Sequence, residues 1–243
     1  MQQPNTVSRI GAWLLLFGRG ATWLAFLGFF AAFMAGAYAT AAVLDRAAEL
    51  GFAAAGWLLA GLSVAQLIVW ALVLLFLARK LGGGEAHTAI GALLLAWLAY
   101  YVVGVLPPGL VQGVIANQLQ DRPDLVPSVD VGISLFWSTA VFPLPVWLVA
   151  AAHSGRALGL KAIWNYLVER GTGLWLLFVA FQLVSLVLGL GLNRLLGDFV
   201  ETNGDALLRQ LFEALRATAI VLFYIMAYRE IRAADAPSER TFA

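Results

Sequence analysis

Residues 21–44 read ATWLAFLGFFAAFMAGAYATAAVL, twenty-four positions without one charged side chain. A helix rises about 1.5 Å per residue, so roughly 20 apolar residues cross the ~30 Å hydrocarbon layer of a bilayer. The stretch is therefore read as a membrane span, and its length sets it apart from the shorter apolar core of a signal peptide. Five further stretches of similar character follow: Ala54–Ala78, Thr88–Leu106, Val131–Ala152, Gly173–Leu192 and Leu211–Tyr228. The expected fold is all-α, a polytopic six-helix transmembrane bundle that occupies residues 1–243 as one domain.

Whole-chain composition points the same way. Hydrophobic residues make up 62% of the 243 and charged residues only 12%, with a mean hydropathy of +0.85. Such a chain has too little polar surface to cover itself in water. There is no cysteine, which removes disulfides, thiolate metal sites and thiol nucleophiles.

Charge divides between the connections. With the N-terminus in the cytoplasm, ten of the fifteen basic residues lie on the inner side: Arg9, Arg19, Arg79, Lys80, Arg156, Lys161, Arg170, Arg229, Arg232 and Arg240. Nine of the fourteen acidic residues fall outside, among them Asp45, Asp124, Glu201 and Glu213. Because Lys and Arg are retained on the cytoplasmic side, both termini are expected there. The net charge of +1 conceals this split; the basic residues are topology determinants, and no nucleic-acid partner is expected.

Small residues in the first span (Gly28, Ala31, Ala32, Ala35, Gly36, Ala39) recur at helical spacing and predict a close helix contact. In the fourth span, Pro143 and Pro145 remove backbone donors, so a kink is expected near Ser138–Thr139, whose hydroxyls could occupy the freed carbonyls. Few polar groups remain in the hydrocarbon. Gln66, Ser138, Thr139 and Gln182 are the candidate intramembrane contacts, either between helices or to a substrate. Ionisable residues are missing from the span centres, which argues against a proton pump, an ion pathway or a voltage sensor.

Three segments outside the spans have their own pattern. Ser8–Phe17 is expected to lie in the inner interface with Trp13 at headgroup depth. Ala157–Arg170 sets Leu158, Ala162, Ile163, Tyr166 and Leu167 on one face and Lys161, Asn165 and Glu169 on the other, an amphipathic helix whose polar row could dock a partner. Leu110–Gln120, following Pro107-Pro108, reads as interfacial or re-entrant.

Catalytic and metal patterns are absent from the sequence. His87 and His153 have no carboxylate at ligand spacing, and His153-Ser154-Gly155 lacks the strained elbow of a nucleophilic serine. No cofactor and no enzymatic activity are expected. The segment Pro143–Leu192, with Val168-Glu169-Arg170-Gly171 leading into its leucine-rich span, and the closing Tyr224–Arg232 resemble a group of bacterial six-helix integral membrane proteins. That group includes the membrane domain found beside glycerophosphodiester phosphodiesterases. The resemblance implies a bacterial inner-membrane location and carries over no catalytic residue, since the soluble phosphodiesterase barrel has no counterpart here. The function expected is a non-enzymatic membrane protein that organises lipid, another membrane protein or a cytoplasmic partner. The alternative is a permease subunit for an uncharged or amphiphilic substrate.

Overall fold

The computed structural model describes residues 5–82, 90–119, 126–153, 159–197 and 203–235, and every regular element among them is a helix. Five helices are long and apolar enough to cross a membrane, or six if one bent pair forms a single span. This architecture is consistent with a multi-pass membrane protein. Helix α1 (Thr6–Phe17) precedes the long α2 (Gly20–Asp45), and after the single turn α3 (Ala47–Leu50) comes α4 (Phe52–Leu81). Helix α2 extends its expected span by one residue at each end, and α4 by two at its start and three at its end.

The third span departs from expectation. Helix α5 (Ile90–Ala99), a π-helical turn over Tyr100–Val105 and α6 (Leu106–Gln118) follow one another directly, and Gly91–Ile115 together can cross a membrane. Pro107-Pro108 therefore does not end the span, and the segment after it is no separate interfacial helix. The reason lies in the backbone. Leu106 N–H already reaches back five residues to the Tyr101 carbonyl. With no N–H on either proline, the Val103 carbonyl has neither an i+4 nor an i+5 donor. The indole Nε1–H of Trp137, on α7 (Val126–Ala140), donates to that carbonyl at 2.8 Å.

Proline governs the next element too. Helix α7 stops at Ala140 and α8 (Pro143–His153) starts with proline at its first position, where a missing N–H costs least. The two axes differ by 54°. The expected kink exists, but the break falls at Val141–Phe142, and the Ser138 and Thr139 hydroxyls do not cap the carbonyls that the prolines free. Both donate to Leu135 O, at 3.1 and 2.8 Å, the backbonding that bends helices. The Thr139 carbonyl, deprived of Pro143, instead accepts the indole N–H of Trp175 at 2.7 Å.

Helices α9 (Leu160–Glu169), α10 (Thr172–Gly197) and α11 (Asn203–Asp235) complete the fold. Helix α11 begins eight residues before the expected span Leu211–Tyr228 and runs seven residues past it. This helix and α8 form the centre. Val221 to Tyr228 are buried without interruption, two turns enclosed on every side, as are Leu148 to His153 of α8. Phe142, Phe178, Phe223 and Tyr224 form one aromatic cluster there, with Phe142 and Phe178 stacked at 4.6 Å.

The small-residue stripe packs α2 on α4 at two points. Gly28 lies against Val73, and the Gln66 amide lies over Gly36, where a side chain would meet it. Ala31 and Ala35 face outward, so only part of the stripe is a helix contact.

Candidate functional site: an arginine-lined cleft

One end of the bundle gathers charge that is far apart in sequence. On α1, Asn5 caps the first turn by accepting the Ser8 N–H at 2.8 Å. One residue on, Arg9 points into the protein and is only 6% exposed. Its guanidinium meets the Glu230 carboxylate through both oxygens, Nη2 to Oε1 at 2.7 Å and Nε to Oε2 at 2.9 Å. This paired geometry is the strongest that a carboxylate and an arginine can adopt. Gly173, at the start of α10, leaves the room: a Cβ there would collide with the Arg9 guanidinium.

Tyr166 of α9 closes the group, its hydroxyl donating to Glu230 Oε1 at 2.8 Å. Burial pushes the phenol up to about 12, and its bond to Glu230 adds to the rise. Glu230 likewise holds Arg9 cationic beyond its ordinary range. These three residues tie α1 and α9 to the end of the last span.

The tie forms the wall of a cleft of about 840 Å³ between α1, α9 and α11, within the roughly 300–1,000 Å³ typical of small-molecule sites. Arg9, Arg19, Arg170 and Arg229 bring four guanidinium groups to its lining, against the single carboxylate of Glu230. Leu15, Leu16 and Met226 supply apolar wall. Arg19, Arg170 and Arg229 are exposed, and among the described residues none of the three forms an ion pair. The composition suits an amphiphile with a negatively charged head.

The residues expected to form intramembrane contacts lie elsewhere. Gln182 of α10 is buried and donates to Ser138 Oγ at 3.3 Å, while its Oε1 has no hydrogen-bond partner among the described residues. Thr139 is adjacent but bonds within its own helix, and Gln66 packs on α2 instead. On α9, Lys161, Asn165 and Glu169 are exposed as expected, with Ile163 and Leu167 fully buried opposite them, but Ala162, expected on the apolar face, is exposed as well. Leu158 lies outside the described residues.

Three features escaped sequence reasoning. Gln112, placed beyond the third span, instead falls within it and donates to Ser134 Oγ at 3.0 Å. Trp13, expected at headgroup depth, turns inward: its indole N–H donates to Ala219 O at 3.1 Å and its ring meets Phe181 edge-on. The arginine cleft was spread among residues read as topology determinants; the one local sign was an acid placed between cations in Arg229-Glu230-Ile231-Arg232. His153 is buried beneath Tyr228, with Nε2 3.1 Å from Arg232 Nη1. His87 lies outside the described residues, and among those described no three His, Asp or Glu side chains converge as a metal site would require. The chain matches no family model, no curated protein and no solved structure.

Proposed function

We propose that this is a non-enzymatic integral membrane protein that organises lipid at its arginine-rich end. The observation that carries the reading is the cleft between α1, α9 and α11, which joins a cationic rim to an apolar wall. Headgroup and acyl chain need these two surfaces side by side. The division of basic residues supports a cytoplasmic position for this end, with both termini. The resemblance to bacterial six-helix membrane proteins supports the inner membrane as its location.

The test is extraction from native membranes in mild detergent, followed by lipid analysis and native mass spectrometry of the purified protein. Bound phospholipid in excess of that held by a membrane protein of equal size supports the reading. A lipid-free protein whose thermal stability ignores added lipid overturns it.

A permease reading draws on a different observation, the broken α7–α8 pair beside the buried, unpartnered Gln182 Oε1. Here α9 would couple the bundle to a cytoplasmic partner through Lys161, Asn165 and Glu169. A Lys161→Glu, Glu169→Lys double substitution separates the two, since it leaves the cleft lining untouched. Loss of a co-purifying protein favours the permease, and unchanged behaviour favours the lipid-organising protein.

A further inference from the structure

We propose that the cleft holds the headgroup of an acidic phospholipid bearing two phosphates, with Arg19, Arg170 and Arg229 as its ligands. The inference rests on the lipid-organising reading and names the lipid class. Of the four guanidinium groups in the lining, Arg9 is committed to Glu230 by two short hydrogen bonds and is buried. Tyr166 spends its hydroxyl proton on the same carboxylate. The Arg9–Glu230 pair is neutral overall, so the three remaining arginines set the charge that a ligand meets. They come from three segments: the α1–α2 turn, the residue after α9, and the end of α11.

Three positive charges on separate supports match a ligand with more than one anionic centre. A single phosphodiester, with one negative charge, would occupy one or two of them. Two phosphates linked by a short polyol carry two charges several ångströms apart and can engage all three. Guanidinium binds phosphate oxygens in pairs, so each contact also fixes orientation. The apolar residues Leu15, Leu16 and Met226 line the same cleft and give the acyl chains a path to the hydrocarbon, which a soluble phosphate compound does not need. Basic pockets where helices meet the interface are suited to such headgroups. Glu230 has a second role here: by neutralising Arg9 it holds the wall in place without competing for the ligand.

The experiment uses the full-length protein in detergent, with thermal unfolding and native mass spectrometry as readouts. The probes are diphosphatidylglycerol, phosphatidylglycerol, phosphatidylcholine and inorganic pyrophosphate. The expected order of stabilisation is diphosphatidylglycerol first, phosphatidylglycerol second and phosphatidylcholine last, with no shift from pyrophosphate. An Arg19→Gln, Arg170→Gln, Arg229→Gln variant should unfold like the parent without lipid and bind diphosphatidylglycerol on the order of a hundredfold more weakly, at roughly a factor of five per arginine. A Lys80→Gln, Lys161→Gln variant, which removes exposed charge outside the cleft lining, should bind as the parent does. Equal weakening in both variants means diffuse attraction and overturns the site. Equal stabilisation by pyrophosphate overturns the lipid assignment. If phosphatidylcholine stabilises as well as the acidic lipids and the triple variant behaves as the parent, the cleft proposal falls, and what stands is a lipid-organising protein that does not use its arginine-rich end. If no lipid has any effect, both fall.

Discussion

Trp175 of α10 donates its indole N–H to the carbonyl of Thr139, 2.7 Å away on α7. That carbonyl is the one Pro143 cannot serve, and besides the indole it accepts the Phe142 N–H only over a long 3.4 Å. Trp137 does the same for Val103 ahead of Pro107. In hydrocarbon no water can replace a lost backbone partner. The broken helices are therefore viable because a tryptophan on a neighbouring helix supplies the missing donor.

Trp175→Phe keeps most of the ring and removes the donor. It should lower stability by about 1 kcal/mol, the net worth of one hydrogen bond, since the Thr139 carbonyl keeps only its long bond from Phe142 N–H. Pro143→Ala restores an N–H at the break, so the same tryptophan substitution should cost less in that background. Denaturation of the four proteins in a double-mutant cycle measures the difference. Additive effects would sink the account.

Gly36 lies beneath the Gln66 amide, whereas Gly28 meets only the tip of Val73 at 3.7 Å. Gly36→Ala should be mild, because the long glutamine side chain can swing aside. Gly36→Leu overfills the contact between α2 and α4 and should cost about 1–3 kcal/mol. Thermal unfolding in detergent tests the ranking, with Gly28→Ala expected to be close to the parent.

Arg9→Ala would leave Glu230, whose side chain is only 11% exposed, without its cation. The loss should be on the order of 3 kcal/mol. Adding Glu230→Gln removes the stranded charge and should recover much of the stability. Unfolding of the single and double variants checks this, and a double variant no better than Arg9→Ala would show that lost packing, not the ion pair, is at fault.

The phenol of Tyr166 must stay protonated to donate to Glu230, and its pKa is raised from 10.0 to about 12. A group whose pKa rises on folding stabilises the native state at pH values below its unfolded pKa. This contribution should therefore be complete below pH 10 and lost as the pH climbs through about 12. The difference in stability between the parent and Tyr166→Phe should shrink across that window. Phenolate absorbance, compared between the two proteins, should place one tyrosine titrating late.

The proposed orientation can be read with single cysteines, since the chain has none of its own. Cysteines replacing Asp124 and Glu201 should react with an impermeant maleimide in intact cells. Those replacing Gly83 and Ser238 should stay unlabelled until the cells are opened. The opposite labelling pattern would reverse the cytoplasmic assignment of the arginine-rich end.

The sequence by itself determined the apolar character, the helical class, the approximate spans and the polar row of α9. These depend on apolar length and on periodicity, which act through neighbours a few residues apart. The proline breaks were half legible. Missing N–H groups can be counted from sequence, but whether a helix ends or continues depends on what reaches the orphaned carbonyl. At Val103 the donor comes from a residue 34 positions away and at Thr139 from one 36 away. The cleft was legible least, because Arg9 and Glu230 are separated by 221 positions. In sequence both are charges beside spans. Only the packing of α1, α9 and α11 decides that one arginine is buried and neutralised while Arg19, Arg170 and Arg229 stay exposed at the cleft, since that outcome depends on distance in space and on which charges the fold removes from water.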